Sequence, residues 1–232
     1  MILVDERFSR SERLFGKENI EKLFNSKVIV FGVGGVGGAV VEALARGGIG
    51  EIGIVDKDTV DITNINRQII ATDNTVGRFK TDAAEERILS INPFAKVNKY
   101  QMFYLPETAD KIDLGYYDYA VDAIDNVSAK IELCVRAKQC GIPIVSSMGT
   151  GNKVHPEMLE ISDISKTSVC PLARVMRREL RNRGINHLDV VYSKEEPFAA
   201  DFGRTPASCS FTPPVAGYLI ASKVIKDLIN KK

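Results

Sequence analysis

Short apolar runs alternate along roughly the first 150 residues with longer segments whose apolar side chains recur at helical spacing. The runs at 27–31, 51–56, 96–102, 119–123 and 142–146 read as strands. Between them, 37–46 carries Val40, Val41, Leu44 and Ala45 on one helical face. Residues 81–90 do the same with Ala83, Ala84 and Ile88, and Asn92-Pro93 ends that helix. A further helix is expected over 127–140, closed by Gly141, and a short one over 107–113. Ahead of the first strand, Phe8, Leu14, Phe15, Ile20 and Leu23 make residues 1–25 a helical arm. Strands alternating with helices in this rhythm predict a parallel sheet covered on both faces.

Beyond Met148 the rhythm changes. Strands are expected at 158–163 and 188–192, on either side of a helix over 170–182. The last helix starts at Pro213-Pro214 and turns Val215, Leu219, Ile220, Val224 and Leu228 inward. Residues 193–210 are polar and bear Pro and Gly, which reads as a mobile loop. No shift in composition marks a linker. The expectation is one α/β domain over 1–232, its parallel sheet extended by antiparallel strands in the C-terminal half.

Composition narrows the function. The chain is 44% hydrophobic with a formal net charge of +1, which excludes a general nucleic-acid coat or a membrane-surface protein. No apolar run is long enough to span a bilayer, so no membrane partner is expected. The four cysteines, Cys134, Cys140, Cys170 and Cys209, include no Cys-x-x-Cys pair; neither a zinc tetrad nor a disulfide framework is indicated. The charged opening (Asp5, Glu6, Arg7, Arg10) is unlike a leader, and a cytoplasmic protein with reduced thiols is expected.

The chemistry is concentrated after two strands. Gly32, Gly34 and Gly37, with Gly35 between, follow the first apolar run and open a helix: the strand–turn–helix whose free N–H groups hold phosphates. About twenty residues on, the second run ends at Asp56, where a carboxylate meets ribose hydroxyls. The polar stretch that follows places Asn64, Arg67 and Lys80 where the second strand emerges. A hydride-transfer enzyme has no use for these cations, whereas a polyphosphate does. Asp125, just past the fourth strand, suits Mg²⁺ held between a carboxylate and phosphate oxygens. ATP and Mg²⁺ are the expected cofactors, with chemistry at phosphorus.

Together Gly32-x-Gly34-Gly35-x-Gly37, Asp56-x-Asp58, Asn64-x-x-Arg67-Gln68, Lys80 and Asp125-Asn126 resemble the adenylating superfamily of ubiquitin-activating and sulfur-carrier-activating enzymes. The resemblance implies a Rossmann-like ATP-binding fold that turns a carboxylate into an acyl-adenylate. It gives Asp56 the ribose, gives Asn64, Arg67 and Lys80 the phosphates, and gives Asp125 the Mg²⁺. Asp58, Gln68 and Asn126 complete the nucleotide set. It also implies a homodimer in which a partner's N-terminal arginine reaches the phosphates, with Arg10 the matching residue and Arg7 second.

Further segments look like the tRNA threonylcarbamoyladenosine dehydratase branch. They are Ala43-Leu-Ala-Arg-Gly-Gly-Ile-Gly50, Asp61-Ile-Thr-Asn-Ile-Asn-Arg-Gln68, Ile91-Asn-Pro93, Asp163-Ile-Ser-Lys-Thr167, Cys170-Pro-Leu-Ala-Arg and Phe211-Thr-Pro-Pro-Val-Ala-Gly217. That branch activates the carboxylate of N6-threonylcarbamoyladenosine in tRNA with ATP and closes a ring with loss of water. The nucleophile is the substrate's own, so no enzyme cysteine is needed. Arg174, Arg177, Arg178 and Arg181 fall at helical spacing and are the candidates for tRNA contact. The alternative is adenylation of the C-terminal glycine of a ubiquitin-like sulfur carrier of thiamine or molybdopterin type. That reading adds a carrier or desulfurase partner, with Cys209 or Cys170 as the thiol. Gly38 departs from the pattern, since a larger or hydroxyl residue is common there.

Overall fold

The computed structural model describes residues 5–198 and 206–230; part of the expected mobile loop at 193–210 therefore lies outside the described residues. The apolar runs become β1 (Lys27–Phe31), β2 (Glu51–Val55), β3 (Lys96–Tyr100), β4 (Tyr119–Asp122), β5 (Ile144–Ser147), β6 (Leu159–Asp163) and β7 (Asp189–Ser193). They form one sheet in the order β3-β2-β1-β4-β5-β7-β6. β1 pairs in parallel with β2 on one side and β4 on the other. The chain thus builds outward to β3 and crosses back to β4, which makes β1/β4 the switch point where a crevice opens at the carboxyl edge. β7 joins β5 in parallel, and β6 closes the sheet antiparallel to β7.

The pleat sends alternate residues of β1 to opposite faces. Val28 and Val30 enter a core with α3 (Gly35–Arg46), α4 (Lys80–Ile91) and α7 (Thr212–Asn230). Ile29 and Phe31 enter another beneath α5 (Val127–Cys140). Between α5 and α6 (Pro171–Arg181) a third cluster gathers Cys134, Met176, Leu180 and Tyr192. The helix expected over 107–113 shrinks to a single 3-10 turn at Ala109–Lys111. There the Thr108 hydroxyl donates to the carbonyls of Phe103 and Leu105, a local turn that competes with helix.

The arm folds as α1 (Ser9–Phe15) and α2 (Lys17–Asn25). Phe8 is buried edge-on against Phe24, with ring centroids 5.1 Å apart, and abuts Gly48 just past the C-terminus of α3. Arg7 donates to the Ile91 carbonyl at the C-terminus of α4 and lies over the Phe94 ring. The arm therefore sits at the amino edge of its own sheet. α3, at about 1.5 Å per residue, separates it from the glycine turn by its whole length.

Glu42 ties α3 to α4. It is 3% exposed and accepts from Arg46 at 2.8 Å and from Arg87 at 2.7 and 2.8 Å. Burial pushes its carboxyl up, but the Arg87 and Arg46 guanidiniums outweigh this and hold it below the ordinary range. The stabilisation is thus complete above the unfolded value of about 4.3 and is lost as pH falls through the depressed folded value. Glu42→Gln is expected to cost about 1.5–3 kcal/mol at pH 7. The gap to wild type should narrow markedly by pH 3; urea denaturation at both pH values measures it.

Candidate active site

β1 and β4 end at the same edge, and the turns after them meet. Gly32 takes φ +84°, and a Cβ there would stand 2.7 Å from the Ala123 carbonyl oxygen. A Cβ at Gly37 would fall on the carbonyl oxygen of Gly32. Only glycine permits both the sharp turn and the close seat of the helix against it. Among the described residues no side chain caps the N-terminus of α3 at Gly34, which leaves its first amides facing the crevice.

Asp56 leaves β2 and spans the turn. Its Oδ2 accepts from the Val33 N–H at 2.9 Å and its Oδ1 from the Asp58 N–H at 2.9 Å. Each oxygen keeps a free lone pair for a ribose hydroxyl. The Arg67 stem crosses Gly35, its Cγ 3.4 Å from where a Cβ would lie. One guanidinium nitrogen donates to the Thr63 carbonyl (3.0 Å) and the Asn66 side chain (2.8 Å), which orients the rest of the fork. Gln68 is buried with Nε2 beside Gly34, and its Oε1 has no partner among the described residues. An unmet buried acceptor at the glycine turn is what a nucleotide's donors would satisfy. Lys80 opens α4, 7% exposed, with Nζ 3.1 Å from Asp58 Oδ2. Asn64 is buried and shapes the loop, accepting from the Asp61 N–H in a reciprocal cap.

Across the switch point stands Asp125. Its carboxylate is exposed and makes no hydrogen bond or ion pair among the described residues. Next to it, Asn126 caps α5 by accepting from the Ala129 N–H at 3.0 Å. Beneath lies a pair that sequence reasoning missed: Asp122 and Lys130, both fully buried, 2.9 Å apart. Lys130 also donates to the carbonyls of Ile124 (3.1 Å) and Ser147 (2.7 Å), which fixes the turn carrying Asp125 to the ends of β4 and β5. The only signal in the sequence was Lys130 at an inward position of a helix. Among the described residues no three metal-binding side chains stand together. A lone free carboxylate beside a phosphate turn still fits Mg²⁺, which takes its remaining ligands from phosphate and water.

The structure thus gathers the glycine turn, Asp56, Asp58, Arg67, Gln68, Lys80 and Asp125-Asn126 around one edge. It does not bring Arg10 there: Arg10 is exposed on the arm, without a partner among the described residues.

The ThiF family model matches residues 8–232. The chain belongs to the ThiF family. Within that family, it is 43% identical over 241 residues to the tRNA threonylcarbamoyladenosine dehydratase of Bacillus subtilis, covering 96% of this chain and 94% of the relative. The Escherichia coli tRNA N6-threonylcarbamoyladenosine dehydratase, solved with AMP, superposes with a TM-score of 0.92 at 30% identity, covering 100% of this chain and 98% of that one. The same enzyme solved with ATP gives 0.91 at 32%, covering 99% and 98%. Both likenesses include the C-terminal half, where this ThiF-family chain carries α6 and its arginines. Arg174, Arg178 and Arg181 are exposed, while Arg177 is half-buried and donates to the Thr167 carbonyl (2.8 Å) and hydroxyl (2.7 Å). Arg178 pairs with Glu179 at 3.0 Å. Of the two candidate thiols, Cys170 is buried and Cys209 half-buried. Burial pushes the Cys209 thiol up, but the Thr212 hydroxyl and the amides of Thr212 and Phe211 outweigh it and draw it below the ordinary range. No helix among the described residues is long and apolar enough to cross a membrane.

Proposed function

We propose that this chain is an ATP-dependent tRNA-modifying dehydratase that acts in the cytoplasm on N6-threonylcarbamoyladenosine. A carboxylate oxygen of the threonyl group attacks the α-phosphorus of ATP; the bond to the β-phosphate oxygen breaks and pyrophosphate leaves. The carbamoyl group then attacks the acyl carbon, gives up a proton and expels AMP. The AMP carries away one carboxylate oxygen, so the nucleoside has lost one water. The chain's share is positioning and charge. Asp56 orients the ribose, the α3 amides and Arg67 hold the phosphates, and Lys80, kept by Asp58, adds a second cation. Asp125 would hold Mg²⁺, which when bound neutralises charge between phosphate oxygens.

The observation that carries this reading is the reach of the likeness. It runs through β6, α6 and β7, elements that binding a nucleotide does not require. The test is incubation with ATP, Mg²⁺ and tRNA bearing the modified nucleoside, followed by nucleoside mass analysis for loss of one water. Pyrophosphate exchange that depended on a carrier protein ending in Gly-Gly, with no change in the tRNA, would overturn it. Because the nucleophile belongs to the substrate, Cys209→Ser is expected to keep more than about half of wild-type activity despite the lowered thiol. A loss of a hundredfold would favour the sulfur-carrier reading.

The active form is proposed to be a homodimer. Arg10 is exposed at the amino edge, and Ile62, Ile65, Ile69, Phe79 and Tyr218 are exposed apolar side chains, four of them on the loop that frames the site. A second copy that covers this face and delivers its own Arg10 accounts for both. Arg174, Arg178 and Arg181 are the proposed tRNA-phosphate contacts.

A further inference from the structure

Lys153 is not among the residues assigned above to the nucleotide, yet the fold buries it close to the phosphate turn. It is 3% exposed, and its Nζ has no hydrogen-bond partner among the described residues. The backbone around it is clamped on both sides. Asn152, at φ +57°, donates its N–H to the Ala207 carbonyl at 2.8 Å. The amides of Val154 and His155 donate to the buried Glu195 carboxylate at 2.9–3.2 Å. Glu195 is thus engaged with backbone and makes no ion pair with the lysine. Lys153's own carbonyl accepts from the Thr212 hydroxyl at 3.1 Å, and the next residue, Pro213, lies against Gly35 of the phosphate turn. Lys153 therefore follows β5 on the carboxyl side of the sheet, and its backbone is linked through Thr212 and Pro213 to the phosphate turn.

A buried amine without a partner is costly to keep, and such residues persist where a ligand completes them. Arg67, Lys80 and Asp125 serve the phosphate side. The other reactant is an anion too, and it must approach a phosphate that repels it. We propose that Lys153 receives the carboxylate of the acyl substrate and holds it for attack on the α-phosphorus. This rests on the functional reading given above. Burial lowers the lysine's affinity for its proton, and the nearby Cys170 and Glu195 only partly restore it. An arriving carboxylate supplies the missing counter-charge, so the ammonium and the substrate are stabilised together.

Lys153→Met keeps the length of the side chain and removes the charge. The experiment compares it with wild type in binding to tRNA bearing the threonylcarbamoyl group against the same tRNA with plain adenosine, alongside ATP titration and thermal melting. The expected result is a preference for the modified tRNA reduced about tenfold or more, ATP affinity within about twofold, and a Tm equal or higher, since an unpaired buried charge has gone. Water loss from the nucleoside should fall in parallel, chiefly through KM. Unchanged preference in Lys153→Met overturns the proposal. So does a fall in Tm of several degrees together with lost ATP binding, because the lysine would then be structural; Lys153→Gln, which keeps a polar end, must behave in the same way as Lys153→Met. A wild-type protein that binds both tRNAs alike and converts neither would instead overturn the functional reading.

Discussion

Asp125→Ala is expected to lower ATP-dependent water loss from the tRNA nucleoside by roughly a thousandfold while leaving Tm within a degree or two of wild type. The two halves of this result have separate causes. The carboxylate is exposed and unpartnered among the described residues, so its removal breaks no contact that the folded chain makes. Its turn stays in place because Asn126 caps α5 and Lys130 grips the Ile124 carbonyl. What is lost is the carboxylate that would hold a divalent ion against three phosphates. Asp125→Asn, equal in shape, should be nearly as inactive, which separates charge from volume. Asp122→Asn provides the contrast: it strands the fully buried Lys130 ammonium and should lower Tm strongly. Pyrophosphate release and thermal melting on the three variants measure all of this. An Asp125→Ala protein near wild-type rate would sink the site assignment.

The same pair of aspartates shows how far the sequence could be read. β1 lies at the expected residues, 27–31, because apolar runs bounded by turns leave little choice of register. The glycine turn was equally plain, since Gly32 and Gly37 answer to backbone collisions that no other residue would survive. Asp125 stood out by its place just past a strand. Asp122 and Lys130 did not, because a buried ion pair is made by two elements meeting in space, and neither residue alone departs from an ordinary strand end or helix. Lys153 was hidden for the same reason: Cys170, Glu195 and the start of α7 come near it only in the fold. The arginines of α6 mark the opposite limit. Helical spacing put four on one face, yet Arg177 turns back to hydrogen-bond Thr167 within its own fold. Spacing fixes a side chain's azimuth and says nothing of its partner.

Arg10→Ala is expected to be inactive alone and to regain activity when mixed with inactive Asp125→Ala subunits. The reason is geometric. Phe8 packs at Gly48 and Arg7 at Ile91, so the arm is anchored at the amino edge, and an arginine side chain two residues on cannot span α3 to its own glycine turn. Arg7, moreover, is already engaged with Asp5 and the Ile91 carbonyl, while Arg10 is free among the described residues. Any nucleotide phosphate that Arg10 meets at a glycine turn would therefore be that of a second copy. In a mixed dimer, the Arg10→Ala body keeps Asp125 and receives an intact Arg10 from its partner; the other site lacks both. With free exchange of subunits at equal amounts, half of the dimers are mixed and each has one working site, so activity should return to about a quarter of wild type. Exchange can be verified independently with differently tagged subunits. Mixtures that exchange yet remain inactive would show that the arginine acts within its own chain or not at all, and the homodimer would lose its catalytic rationale.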